Sequence, residues 1–318
     1  MSAKFDSILM IAYGGPEKPD DIRPYLKKVA SGRPIPPERL EEVAHHYELI
    51  GGRSSINELT FSQAKGLENF LKGRGHKLPV YVGMRNWHPF LSDTIKKMNE
   101  NGVRRTLGMI MAAHQCDASW ERYQRDVEDA MKETGVKLEI QYTSPLFDHP
   151  FFIEASADLI VEKFKEIPEA KRENAFLVFT AHSIPIPMAE ESPYVKQLET
   201  SCRLIAERVE HKLWTLCYQS RSGRPTDPWL EPDVSEVIRK LGSDGVRNIV
   251  IQPVGFLCNH VEVLFDIGIE AAEAAKEAGV HLIRAETVND HPKFIQAMAD
   301  VVEKCSYHDA GYRLYDAG

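Results

Sequence analysis

Residues 175–185, with the sequence AFLVFTAHSIP, contain the pattern that decides the fold. The run from Ala175 to Thr180 is apolar or β-branched without polar alternation, which is typical of a strand buried on both faces of a sheet. Pro185 lacks a backbone N–H and prevents the strand from continuing. His182 therefore stands at the carboxyl end of a buried strand, where a ring nitrogen can face a cleft, although a lone histidine at such a position is often structural.

Seven similar runs recur along the chain and are separated by longer helix-like segments. They are Ser7 to Ala12, Pro79 to Gly83, Thr106 to Met111, Leu138 to Tyr142, Leu213 to Tyr218, Asn248 to Val254 and His281 to Ala285. Buried strands that alternate with helices predict parallel sheets covered by helices on both faces. We therefore predict an α/β fold of two Rossmann-like domains, each a four-stranded parallel sheet flanked by helices.

The break between the two domains is predicted near Pro145 to Pro150, where two prolines interrupt both periodicities. Residues 1–147 would then form the N-terminal domain and residues 148–290 the C-terminal domain. A last helix, over about residues 291–306, begins with Pro292 in its first turn. We expect this helix to cross back to the N-terminal domain.

The composition is that of a folded globular protein. The 318 residues are 43% hydrophobic and 27% charged, and the formal net charge is −8 at pH 7, so nucleic acid is not expected as a partner. The five cysteines are widely spaced without a C-x-x-C pair, which argues against a disulfide framework and favours a reducing, cytoplasmic setting. No segment has the length of a transmembrane helix, and the short N-terminal apolar run lacks a signal-peptide pattern.

The common cofactor and nucleophile motifs of α/β enzymes are missing from the sequence. There is no G-x-G-x-x-G or G-x-x-x-x-G-K-[ST] fingerprint for nucleotides, and no G-x-S-x-G elbow for a serine nucleophile. The chemistry must therefore be sought in other polar side chains.

Polar side chains follow several predicted strands at their carboxyl ends, the edge at which open parallel sheets bind ligands. In chain order they are Tyr13, His114, Gln115, His182, Asn259, His260 and Glu262. They come from four segments that are far apart in sequence, yet the topology places them on one rim. A histidine and a carboxylate that face each other there could contact a metal ion, accept protons, or do both.

Three carboxylates start at this rim. Glu262 begins a predicted helix over Val261 to Ala275, and Asp266 and Glu270 follow at i+4 and i+8 on the same helix face. One interpretation is a solvated acidic stripe near a helix N-terminus, where the helix dipole favours the first carboxylate. The alternative is a row of hard oxygen ligands that passes a divalent cation inward to His182.

Six groups of residues resemble the motifs of the ferrochelatase family in order and spacing, over nearly the whole chain. They are Ala12 to Pro16 (AYGGP); Tyr47 to Gly52 (YELIGG) with Ser54; Ala181 to Pro185 (AHSIP); Pro193-Tyr194 with Gln197-Leu198; Tyr218 to Ser220 (YQS) with Asp227 to Leu230 (DPWL); and Pro253 to Phe256 (PVGF) leading to His260 to Leu264 (HVEVL). The resemblance implies the two-domain chelatase fold, with a porphyrin bound between the domains and Fe²⁺ as the metal substrate. It implies no tightly bound cofactor, and no iron–sulfur cluster is expected.

The resemblance also implies roles for the carboxylates and the histidine at the rim. His182 and Glu262 would be the catalytic pair, which contacts the incoming metal on one face of the porphyrin and helps to remove two pyrrole protons. Asp266 and Glu270 would complete the set of metal-contacting residues, because they fall where the family has an acidic line proposed for metal delivery.

Tyr13 resembles the axial oxygen ligand of the branch that uses coproporphyrin III. Porphyrin contacts are also implied for His46, Tyr47, Ser54 and Tyr123. His46 and Ala30 depart from that branch, since relatives have arginine at these two positions. Propionate binding could instead use cations nearby in the sequence, namely Lys27, Arg33, Arg53 and Arg85.

Three other functions remain open from the sequence. The protein could use protoporphyrin IX, or it could insert cobalt or nickel into a corrinoid precursor with the same fold. A non-enzymatic haem or iron carrier would need Tyr13 but not His182 together with Glu262. Transient contact with other enzymes of the haem pathway is also possible.

Overall fold

The computed structural model describes residues 5–32, 35–222 and 226–307. Within these ranges eight strands form two four-stranded sheets in which every pairing is parallel. The first sheet contains β1 (Ser7–Ala12), β2 (Val80–Met84), β3 (Arg105–Ile110) and β4 (Glu139–Tyr142), and the second contains β5 (Phe176–His182), β6 (Trp214–Gln219), β7 (Asn248–Gln252) and β8 (His281–Arg284). The predicted α/β fold of two parallel sheets is confirmed.

The strand order is β2-β1-β3-β4 in the first sheet and β6-β5-β7-β8 in the second. All six residues of β1 are buried, and the five inner residues of β5 are buried as well. These interior strands lack polar alternation because helices cover both faces of the sheet. Strand β5 runs further than the apolar run predicts, since His182 still pairs with Gln219 of β6.

Helices flank both sheets. They are α1 (Pro19–Val29), α2 (Pro37–Leu49), α3 (Ile56–Gly73), α4 (Leu91–Glu100), π1 (Asp117–Glu121), α5 (Arg122–Thr134), α6 (Pro150–Phe164), α7 (Glu169–Arg172), α8 (Ile186–Glu190), α9 (Tyr194–Arg208), α10 (Val234–Ser243), π2 (Glu262–Glu270), α11 (Ala271–Glu277) and α12 (Pro292–Tyr307). In the part of the chain that is described, we find no helix both long and apolar enough to span a bilayer.

The last helix, α12, packs against one helix from each half of the chain. The ring of Phe294 lies 6.1 Å from that of Phe152 on α6, in an edge-to-face arrangement. On the other side, Arg74 and His76, at the end of α3, bond to Glu303 at 2.7 and 3.0 Å. The helix thus contacts the N-terminal half as expected, while the domain boundary near residue 147 stays a prediction.

Candidate active site

The carboxyl end of β5 places the imidazole of His182 opposite the carboxylate of Glu262. The Nε2 atom of His182 lies 3.9 Å from Oε1 of Glu262, and both side chains are about one-third exposed, at 30% and 37%. The Nδ1 atom contacts the carbonyl oxygen of Ser183. Because a carbonyl oxygen only accepts hydrogen bonds, Nδ1 carries the proton of the neutral ring. The lone pair on Nε2 is then available to a proton or a metal ion.

The strand end itself is held by hydrogen bonds from neighbouring elements. The Tyr194 hydroxyl on α9 donates to the carbonyl oxygen of His182 at 3.0 Å, and the Ser183 hydroxyl donates to that of Leu230 at 2.8 Å. The backbone N–H of Ser183 also donates to the carbonyl oxygen of Gln219 on the adjacent strand. The imidazole therefore projects from a backbone that is bonded on several sides.

Glu262 lies between two imidazoles. Its Oε2 atom is 3.8 Å from Nδ1 of His260, and its backbone N–H donates to the same nitrogen at 3.2 Å. The amide of Gln219 donates to the carbonyl oxygen of Glu262 at 2.6 Å and so ties π2 to the end of β6. Burial lowers the pKa of His260. The sequence placed His260 on the rim but did not predict a role for it. Its position two residues before Glu262 in the HVEVL motif was the available signal.

The acidic line continues from this pair toward the surface. Glu262 and Asp266 are partly buried, and Glu270 is exposed. Burial, with the charges of Glu262 and Glu270, raises the pKa of Asp266 to about 8, although its hydrogen bond with Ser220 acts in the opposite direction. Burial also raises the pKa of Glu270, with a further contribution from Asp233. Carboxylates with raised proton affinity are suited to exchange a proton for a cation.

The helix that carries this line is not α-helical throughout. The sequence predicts one helix over Val261 to Ala275, whereas the structure has a π-helix over Glu262–Glu270 that continues as α11. A π-helix has i→i+5 hydrogen bonds and wider turns, and such segments occur frequently at functional sites. The i+4 spacing of apolar residues does not distinguish the two forms, so the sequence pattern could not reveal it.

Two tyrosines predicted to contact the porphyrin, Tyr13 and Tyr123, lie around one buried cation. The guanidinium carbon of Arg85 is 5.6 Å from the ring centre of Tyr13 and 4.2 Å from that of Tyr123. Burial raises the pKa of Tyr123, and the negative charge of Glu262 adds to the effect. Glu262 acts in the same direction on the buried Tyr47. The carboxylate on π2 therefore lies within electrostatic range of tyrosines from the N-terminal half.

The other predicted porphyrin residues line the walls of this region. Tyr47 is buried and packs edge-to-face on Tyr25, with ring centres 5.9 Å apart. Ser54 is buried, and its N–H donates to the carbonyl oxygen of Pro16 at 2.8 Å. His46 stacks on Phe265 of π2, with ring centres 3.6 Å apart and planes 12° from parallel. His46 therefore connects α2 to π2 across the two halves.

Two residues of the predicted rim do not join the site. His114 bonds through Nε2 to the Ser201 hydroxyl at 2.9 Å, and Gln115 exchanges two hydrogen bonds of 2.8 Å with Gln197. Both partners lie on α9. The side chains that follow β3 thus hold the N-terminal half against the C-terminal half.

The cations considered for propionate binding have different surroundings. Lys27 and Arg53 are exposed, and Arg53 lies 3.7 Å from Glu58. Arg85 is ion-paired with Asp126 inside the protein, which does not favour a role on a propionate. Ala30 caps α1, and Arg33 lies outside the described residues. Across the described ranges, no group of three or more His, Cys, Asp or Glu side chains forms a preassembled metal site.

Comparison with known proteins decides the family. The sequence model of the family described as Ferrochelatase matches residues 6–306. The chain belongs to the ferrochelatase family. Within this family it is 40% identical over 304 residues to a coproporphyrin III ferrochelatase of Mycolicibacterium smegmatis, an alignment that covers 94% of this chain and 89% of the relative. It is 38% identical over 302 residues to a ferrochelatase of Rhodopirellula baltica, with coverage of 94% and 86%.

A solved structure shares the two-sheet fold of this chain. The structure described as SirB from Bacillus subtilis with Fe³⁺ superposes with a TM-score of 0.59, at 13% identity and with 95% of both chains covered. At this identity the likeness shows the fold alone. In this fold the His182–Glu262 pair lies where the carboxyl end of β5 meets the start of π2.

Proposed function

We propose that this protein is a lyase that inserts Fe²⁺ into coproporphyrin III to give iron coproporphyrin III in haem biosynthesis. The observation that carries this proposal is the pair formed by His182 and Glu262, which face each other at 3.9 Å at the carboxyl end of β5. Membership of the ferrochelatase family supports metal insertion into a porphyrin. Tyr13 and the names of relatives such as the Mycolicibacterium smegmatis enzyme support coproporphyrin III as the porphyrin.

The reaction exchanges one Fe²⁺ ion for two pyrrole protons, so the site must supply acceptors for both. A neutral imidazole and a carboxylate each accept one proton. The Nε2 lone pair of His182 is free for this role because Nδ1 is occupied by the Ser183 carbonyl oxygen. Glu262 is the second acceptor, and until it takes its own proton its negative charge stabilises the imidazolium that forms on His182.

The acidic line suits the delivery of the cation. Fe²⁺ would meet the exposed Glu270 first, then Asp266, and then the Glu262–His182 pair. Since the pKa of Asp266 is raised to about 8, this side chain is mostly protonated at neutral pH and would release its proton when a cation binds. Carboxylate oxygens and imidazole nitrogens are both common ligands of Fe²⁺ in proteins.

The opposite face of the porphyrin would be lined by residues of the N-terminal half. Tyr13 would supply an axial oxygen ligand, and Tyr47, Tyr123 and His46 would form the surrounding wall. Exposed cations such as Lys27 and Arg53 are available for the propionates. We also propose that the enzyme works in the cytoplasm without a resident cofactor or iron–sulfur cluster, with at most transient contact with other haem-pathway enzymes.

One assay tests the proposed reaction. Purified protein is incubated anaerobically with Fe²⁺ and either coproporphyrin III or protoporphyrin IX, and metalloporphyrin absorbance is followed. We expect product from coproporphyrin III at the higher rate. No product from either porphyrin would overturn the enzyme assignment and favour a carrier, and faster use of protoporphyrin IX would overturn the substrate. Parallel assays with Co²⁺ and Ni²⁺ on a corrinoid precursor test the related chelatase activities.

A further inference from the structure

Arg85 is a buried cation directly behind the proposed iron ligand. It follows β2, and only 7% of its side chain is exposed. Its guanidinium is ion-paired with the carboxylate of Asp126, which also accepts a hydrogen bond from Nε of Arg122 at 2.9 Å. The carboxylate compensates the buried charge of Arg85 and keeps its guanidinium in one place, while Arg122 is about half exposed and solvated.

The guanidinium contacts two aromatic rings from different elements. It lies over Tyr13, after β1, at 5.6 Å from the ring centre, and over Tyr123, on α5, at 4.2 Å. Both distances are within the range of attractive cation–π contacts. Burial opposes the charged form of Arg85, but the neighbouring Tyr123 and Asp126 outweigh it and raise the pKa of the guanidinium. Arg85 therefore stays charged between the two rings.

The backbone around Arg85 holds the backbone of Tyr13 as well. The N–H of Arg85 donates to the carbonyl oxygen of Ala12 at 3.0 Å, and the N–H of Asn86 donates to that of Tyr13 at 3.0 Å. The amide side chain of Asn86 donates to the same Tyr13 oxygen at 3.3 Å. One short segment thus holds Tyr13 through its backbone and faces its ring.

We propose that Arg85 is a positioning residue, which holds the Tyr13 phenol where it can bind the iron of the porphyrin, with Asp126 as its anchor. The inference rests on the proposed role of Tyr13. A planar guanidinium can contact two rings and a carboxylate at once, whereas a lysine ammonium is a point charge on a flexible chain. Loss of Arg85 would remove the cation that faces the Tyr13 ring and so weaken the hold on its orientation.

The test uses ready-made iron coproporphyrin III bound to the purified protein, so it does not depend on insertion activity. The visible absorption spectrum of the complex reports the axial ligand of the iron. We expect Arg85→Gln to reproduce about half or more of the spectral shift caused by Tyr13→Phe, and Arg85→Lys to cause a smaller shift. Arg122→Gln, which removes the other arginine on Asp126, should leave the spectrum unchanged. In a Tyr13→Phe background Arg85→Gln should add no further shift, because both changes act on the same ligand.

Several results would overturn the inference. One is a native spectrum for both Arg85→Gln and Arg85→Lys, and another is an equal shift from Arg85→Gln with and without Tyr13. If circular dichroism shows that Arg85→Gln does not fold, Arg85→Lys decides, and a native spectrum then counts against the proposal. If Tyr13→Phe itself has no effect on the spectrum, the inference falls together with the ligand role of Tyr13. Failure of the proposed enzymatic function would instead appear as absent insertion in a protein whose bound spectrum still responds to Tyr13 and Arg85.

Discussion

Acidification should destabilise the protein through His114, a buried imidazole with one unsatisfied nitrogen. The Ser201 hydroxyl donates to the carbonyl oxygen of Phe147 at 2.6 Å, so it accepts from Nε2–H of His114 at 2.9 Å. The remaining ring nitrogen, Nδ1, is buried and has no hydrogen-bond partner among the described atoms. A proton added to Nδ1 would create a buried charge without a partner, and burial lowers the pKa of His114 to about 3.

The sign and size of the effect follow from linkage. In the unfolded chain the histidine pKa is near 6.5, so the unfolded state binds more protons than the folded state between about pH 6.5 and pH 3. The free energy of unfolding therefore falls as the pH drops through this window and is unaffected by His114 above it. At pH 5 the loss due to His114 is about 2 kcal/mol, from 1.5 pH units below 6.5 at about 1.4 kcal/mol each.

Urea unfolding at pH 7 and pH 5 measures this difference. His114→Gln keeps a donor for Ser201 but does not titrate, so we expect its loss of unfolding free energy between the two pH values to be smaller than that of the parent by about 2 kcal/mol. The matched control is His45→Gln at an exposed position, for which the loss should equal that of the parent. Equal losses in the parent and in His114→Gln would refute the reasoning.

Three further predictions concern the site and its support. His182→Ala should lower the insertion rate at least about 100-fold while porphyrin binding, measured by fluorescence quenching, is retained. The control is His281→Ala at an exposed position, which should insert iron at the normal rate. A normal rate for His182→Ala would remove His182 from the mechanism. Asp266→Asn should raise the Fe²⁺ concentration needed for half-maximal rate about tenfold without changing the KM for porphyrin, because an amide keeps an oxygen but cannot become an anionic ligand on the delivery path. An unchanged Fe²⁺ dependence would contradict that path. Gly255→Ala would place a Cβ 2.6 Å from the Cβ of the alanine before His182, so we expect a loss of about 1–3 kcal/mol in urea unfolding. Gly73→Ala, where a Cβ meets nothing within 4 Å, should lose much less, and a similar loss at both positions would count against the packing argument.

The sequence by itself determined the order and type of the strands. The interior strands β1 and β5 are nearly continuous apolar runs because helices cover both faces of the sheet, whereas the edge strands β4 and β8 are partly exposed and contain polar residues. The run Ala175 to Thr180 corresponds to β5, with ends that differ by one or two residues. The pair His182 and Glu262 was also accessible, because the carboxyl ends of parallel strands meet on one edge.

The tertiary structure decided which way the other polar side chains turn and which partners they meet. A residue after a strand can turn toward the cleft or toward a neighbouring helix, and His114 turns toward α9 because Ser201 offers it an acceptor there. Arg85 is bound by Asp126, 41 residues further along the chain, and no local pattern predicts such a partner. The π-helix that carries Glu262 shares its apolar spacing with an α-helix. Side-chain direction and long-range charge pairing depend on packing between distant segments, and this is why the fold could be predicted more fully than the surroundings of its site.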